Sequence, residues 1–234
     1  MTEEVALIVG GGPGISASCA RLFASEGMKV AVAARNIDKE VLKSLAKDHG
    51  ITLIACDASD PESVAALYDT VIDLLGAPTL VVHNIDGRPK DVFRKSITDV
   101  KPGPFLDTLK NSTYSAFLVG QRAAREMLAQ DGRDDHKGTI LFTNASAAMK
   151  GYPLSGAFAA ASQGKSGLAQ SMARELMPQG IHVAHVPIDA AIGWEQPDGS
   201  RAHWIAGETK NDNMAHPDRI AEVYLQLHRQ HKST

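Results

Sequence analysis

Cysteine and aromatic residues are scarce in this chain: its 234 residues hold two cysteines, and Phe, Trp and Tyr together make up 5%. Cys19 and Cys56 stand alone, which excludes a disulfide framework or a cysteine metal cluster and makes a reducing, cytoplasmic setting the expectation. Lysine and arginine form no run and the formal net charge is −3, so bulk attraction to nucleic acid or anionic lipid is not expected. The start, Thr2-Glu3-Glu4, lacks the basic opening of a secretory signal, and no apolar stretch approaches a membrane span. Repeats, low-complexity tracts and domain linkers are absent too. A chain of 234 residues buries a full core without staples, so one α/β domain over 1–234 with small-molecule partners is expected.

What the chain does have is an alternation of strand and helix signals with short connections, the pattern of a parallel sheet covered on both faces. Val5-Ala6-Leu7-Ile8-Val9 reads as a buried strand running into Gly10-Gly11-Gly12-Pro13-Gly14-Ile15-Ser16 and then a helix. Such glycines permit positive φ and let a phosphate approach the N–H groups of a helix start. Further strands are expected at residues 29–34, 52–55, 79–83, 139–143 and 181–186. Helices are expected at 38–49, 61–75, 105–129 and 155–177, with a last one from His216-Pro217-Asp218 to about residue 230. Residues 84–104 read as a loop, and 187–215 as a long loop suited to a substrate lid.

In their order and spacing these motifs resemble the short-chain dehydrogenase/reductase family over nearly the whole chain. The resemblance implies a Rossmann-type doubly wound parallel sheet with helices on both faces, a bound dinucleotide, and a homodimer or homotetramer joined partly through the helix at 155–177. The family's loop reads Thr-Gly-x-x-x-Gly-x-Gly. Here it is Val9-Gly10-x-x-x-Gly14-Ile15-Ser16, so Gly10, Gly12, Gly14 and Ile15 are implied at the cofactor. The family's NAD users carry an acid after the second strand, whereas this chain has Ala34-Arg35. Arginine pairs with a 2′-phosphate and the missing acid removes a repulsion, so NADP(H) is the implied cofactor; the alternative is an ordinary solvated arginine. Asp57 matches the acid that bonds adenine, or else serves the start of the next helix. His83-Asn84-Ile85-Asp86 replaces Asn-Asn-Ala-Gly and keeps only Asn84. Ser112 falls at the family's helix asparagine, with Asn111 one residue away and so about 100° round the helix.

The catalytic side departs further. The family's Tyr-x-x-x-Lys pair, in which tyrosine gives a proton and lysine holds the nicotinamide ribose, reads here Phe158-Ala-Ala-Ala-Ser162. Phenylalanine has no proton to give, serine has no charge, and losing a positioned acid removes on the order of 10²–10⁴ in rate. Ser146 stands twelve positions before Phe158, near the family's carbonyl-orienting serine, although an alignment from Gly138 puts Ala145 there. Ser146, Phe158 and Ser162 are thus the candidate catalytic positions. Pro187-Ile188-Asp189-Ala190-Ala191-Ile192 lacks the glycine and threonine that serve the nicotinamide.

Lys165 shares a helix face with Phe158 and Ser162 and is either a substitute cation or a solvated or interface lysine. Tyr152 is a relocated acid or a packing residue. His182 and His185 lie on opposite strand faces and share no metal. Trp194 and Trp204 line a cleft or fasten the long loop, and the family's seventh strand is not visible before Thr234. Three functions compete: an NADP(H)-dependent oxidoreductase of a small carbonyl or alcohol, an inactive nucleotide-binding sensor or partner, and a non-redox enzyme on the same scaffold.

Overall fold

The computed structural model of the chain describes residues 3–130, 136–193, 202–203, 207–208 and 214–231. Six parallel strands form the sheet: β1 (Val5–Val9), β2 (Lys29–Ala34), β3 (Thr52–Ala55), β4 (Leu80–His83), β5 (Gly138–Ala145) and β6 (Ile181–Ile188), in the order β3-β2-β1-β4-β5-β6. All five residues of β1 are buried. Successive side chains on a strand face opposite ways, and the two faces feed two cores. Leu7 and Val9, with Val81, Ile140 and Phe142, pack against α3 (Pro61–Leu75), α5 (Ser115–Leu128) and α6 (Gly156–Leu176). Ala6 and Ile8, with Val32 and Leu141, pack against α1 (Ile15–Ser25), α2 (Glu40–His49) and α7 (Pro217–His228). This is the doubly wound α/β arrangement expected from the alternating pattern.

Helix ends follow their chemistry. Asp60 caps α3 by accepting from the N–H groups of Glu62 and Ser63, ahead of Pro61 in the first turn. Gly50 closes α2 in the left-handed region at φ +66°. Two differences from the sequence expectations bear on the site. The stretch read as a loop over 84–104 contains a 3-10 turn, Lys90–Val92, and turns helical at Pro102. The single helix expected over 105–129 is three pieces: α4 (Pro102–Leu109), a π turn at Lys110–Tyr114, and α5. A π turn inserts a residue without disturbing the apolar face beyond it, so periodicity alone does not register it.

Short pairings follow β6: β7 (Ala191–Ile192) with β10 (Met214–Ala215), and β8 (Ala202–His203) with β9 (Gly207–Glu208). The lid expected over 187–215 lies largely outside the described residues, as do Trp194 and Trp204. Among the described residues no helix is long and apolar enough to cross a membrane, and no three His, Cys, Asp or Glu side chains converge to hold a metal.

Candidate active site

Every strand of the sheet ends at one edge, and two hollows open there. They share a wall made by Asn84, Ile85, Asp86 and Arg88, the segment that follows β4. The first, about 770 Å³, is bordered by Gly10 and Gly11 after β1, Arg35, Asn36 and Lys39 after β2, and Asp57 after β3. Gly10 has φ +111°, and a side chain there would overlap the Asn84 carbonyl, so this position requires glycine. The N–H groups of Gly10 and Gly11 both donate to Ala33 O, at 2.9 and 3.0 Å, which ties the loop to β2. Space beside Gly12 is open, and Gly14 caps α1 with no side-chain hydrogen bond and no acid in the first turn. The helix therefore presents unused N–H donors and the positive end of its dipole.

Ser16 stands where the family pattern has its third glycine, and its hydroxyl explains the exchange. It donates to Gly10 O at 2.7 Å and accepts from Asn84 Nδ2 at 2.7 Å, bracing the loop against the segment that follows β4. Arg35 is exposed at the mouth. Lys39 donates to Gly11 O at 3.1 Å, so a second cation borders the same hollow. Asp57 accepts from the Ser59 N–H and hydroxyl at 2.9 and 2.8 Å, and these bonds hold its carboxyl below the usual range, so it stays ionised.

The second hollow, about 1160 Å³, is lined by Ile15, Asn84, Ser112, Ser146, Tyr152, Phe158 and Lys165, and by Ile188–Ile192 beyond β6. Tyr152 donates to Ser146 Oγ at 3.1 Å, so a loop hydroxyl and the hydroxyl after β5 act together. The Phe158 ring carries the Arg88 guanidinium 3.8 Å from its centroid, and Arg88 is forked onto Asp86 by bonds of 2.6 Å. Lys165 is 2% exposed, and burial lowers its pKa to about 8.

The sequence candidates thus divide. Gly10, Arg35, Asp57 and Asn84 border the first hollow, while Ile15, Asn84, Ser146 and Phe158 border the second. Gly12 and Gly14 lie at the start of α1 between them in sequence, without lining either. Ser162 is 1% exposed, lines neither hollow, and its Oγ has no hydrogen-bond partner among the described residues. Lys165 is not the solvated lysine that one alternative foresaw. The π turn sends Asn111 to the first hollow, where its Nδ2 donates to Gly87 O at 3.4 Å, and Ser112 to the second. Lys39 and Arg88 were missed, each within three or four residues of a motif position where no spacing rule distinguishes it from a surface residue; Ser16 was placed in the loop motif, but its bridging role was not foreseen.

Comparison with known proteins places this geometry. A family model described as Enoyl-(Acyl carrier protein) reductase matches residues 10–234. The mitochondrial borneol dehydrogenase of Lavandula x intermedia is 30% identical over 231 residues, covering 96% of this chain and 83% of that protein. Several further curated relatives are matched over only 61% to 69% of their length. Among solved structures, a short-chain dehydrogenase from Rhodopseudomonas palustris superposes with a TM-score of 0.77 at 29% identity, over 99% of this chain and 94% of that one. A metagenomic short-chain oxidoreductase solved with NADP shares the fold at a TM-score of 0.77 and 23% identity, over 99% and 93% of the two chains.

Proposed function

Because the chain belongs to the short-chain dehydrogenase/reductase family, we propose that it is an NADP(H)-dependent oxidoreductase of a small carbonyl or alcohol with an altered proton-transfer site. One observation carries the reading. Two hollows that share one wall hold Arg35 and Lys39 in the first, and Ile15 of the α1 start with the paired Ser146 and Tyr152 in the second. The residues fit a dinucleotide bearing a 2′-phosphate. Arg35 and Lys39 supply two cations and the residue after β2 is arginine rather than an acid, while Asp57, across the hollow and within reach of the Arg35 charge, is ionised and able to accept from an adenine amino group. The α1 start supplies donors for the pyrophosphate, and the open side of Gly12 lets it approach.

The bound cofactor would supply hydride. The residues of the second hollow then orient a carbonyl. Ser146 Oγ, already accepting from Tyr152, turns its own hydroxyl hydrogen toward a carbonyl oxygen, and Tyr152 backs that donor. Phe158 excludes water from its side of the hollow and holds Arg88 in place, but gives no proton. Proton delivery passes to Tyr152, Ser146 or water, a weaker arrangement than a positioned acid, and turnover is slow on that account. The stacked Tyr114 and Phe117 rings, exposed near the α5 start with centroids 6.2 Å apart, support a homo-oligomer.

Phe158 also favours a second reading, a nucleotide-binding protein without turnover. NADPH oxidation with a panel of small aldehydes and ketones separates the two. Slow turnover of at least one carbonyl, reduced on the order of tenfold or more in Ser146→Ala, is expected. Tight NADPH binding without oxidation by any member of the panel would establish the second reading.

A further inference from the structure

This inference rests on the cofactor reading above. Lys165 is a buried ammonium with no carboxylate within hydrogen-bonding distance among the described residues. Its Nζ donates to Ile85 O at 3.0 Å and to Thr143 O at 3.3 Å. An ammonium carries three N–H groups, and the third has no partner among the described residues although Lys165 lines the second hollow. Taking a cation out of water costs several kcal/mol unless its charge is answered, and two neutral carbonyls answer it poorly.

The surroundings do not supply the answer. Asp86 is the acid whose charge favours the ammonium, but it is forked by Arg88. Lys90, Arg94, Tyr152 and Asp189 face the same hollow from its loops. His83 on β4 and His185 on β6 are kept neutral by burial and by Lys165 itself. A buried cation that lines a cleft and keeps a donor unused is a candidate to meet a ligand there. Its place is telling: the two accepting carbonyls are those of Ile85, two residues past β4, and Thr143, near the carboxyl end of β5, and ligands of open parallel sheets lie in the crevice outside those ends. The long side chain leans back toward the start of α6, so a lysine one turn late reaches this crevice while Ser162 stays in the packing.

We propose that Lys165 is a positioning residue for the nicotinamide half of the dinucleotide, its third N–H donating to a ligand oxygen, so that the cation missing at Ser162 is supplied from three positions further along α6. The consequence is proton-linked binding. A ligand oxygen favours the charged amine, so affinity is full below about pH 8, where Lys165 is protonated, and falls above it.

Calorimetric titration of the wild type, Lys165→Met and Lys165→Arg with NADPH and with 2′,5′-ADP, which lacks the nicotinamide half, tests this. At pH 7, Lys165→Met is expected to weaken NADPH about tenfold or more and to leave 2′,5′-ADP unchanged. Lys165→Arg is expected to recover most of the NADPH affinity. Between pH 7 and 9 the wild type should lose about tenfold for NADPH, and neither variant should show that loss. Equal weakening of both ligands, an unaffected Lys165→Met, or a pH-independent wild type would overturn the assignment. A wild type that binds neither ligand would overturn the cofactor reading and this inference with it; one that binds both, with Lys165→Met neutral, overturns the inference alone.

Discussion

Lys165 also leaves a mark on stability, and the sign is fixed by its surroundings. Burial lowers its pKa from 10.5 to about 8, so between those values the unfolded chain holds more protons than the folded one. Stability then rises with pH through that window, by roughly 3 kcal/mol at most. Chemical denaturation at pH 7 and pH 10 should show the wild type gaining on Lys165→Met as the pH rises; a constant gap would mean that the side chain is solvated. Sequence reasoning located Arg35, Asp57 and Asn84 because each lies within two residues of the end of a strand, where chain position alone puts it at the sheet edge. It did not find Lys39, Arg88 or the hydroxyl bridge of Ser16. Those residues act through side-chain reach and hydrogen bonds across elements, which a linear pattern does not encode.

Two elements decide how far the family's chemistry survives. On α6, Phe158 and Lys165 face the cleft two turns apart while Ser162 is packed away, so the face expected to be stripped of function keeps a charge. A hydroxyl added by Phe158→Tyr would enter a hollow that already holds Ser146 and Lys165. It should raise carbonyl reduction on the order of 10²-fold, and the gain should vanish in the Phe158→Tyr, Lys165→Met double variant, measured as NADPH-dependent turnover. A gain that persists without Lys165 would show that the two side chains do not cooperate. Lysine at position 162 is the less informative change, because that position has no opening to the cleft. The π turn at Lys110–Tyr114 has a parallel role, sending Asn111 and Ser112 to different hollows. The strands were legible as short apolar runs covered on both faces. The π turn was not, because one inserted residue leaves the apolar stripes on either side intact.

At the scale of the molecule, the strand order β3-β2-β1-β4-β5-β6 places a reversal between β1 and β4, and the Gly10 loop meets Asn84 there. That reversal makes the cleft; the doubly wound sheet it belongs to was implied by the family resemblance, while the alternation of elements pointed to a parallel sheet covered on both faces. The contents of the cleft are less symmetrical than the sheet: Arg35, Lys39 and the glycine loop border one hollow, and Ser146, Tyr152, Phe158 and Lys165 the other. The account therefore stands on the cofactor the first hollow selects. The most direct test is a titration of NADPH and NADH against the wild type and Arg35→Ala by fluorescence or calorimetry. Preference for NADPH is expected, with Arg35→Ala losing about 1.5–3 kcal/mol of NADPH binding, roughly ten- to a hundredfold, and no NADH binding. Equal affinity for the two cofactors, or an Arg35→Ala variant that binds NADPH as the wild type does, would contradict it.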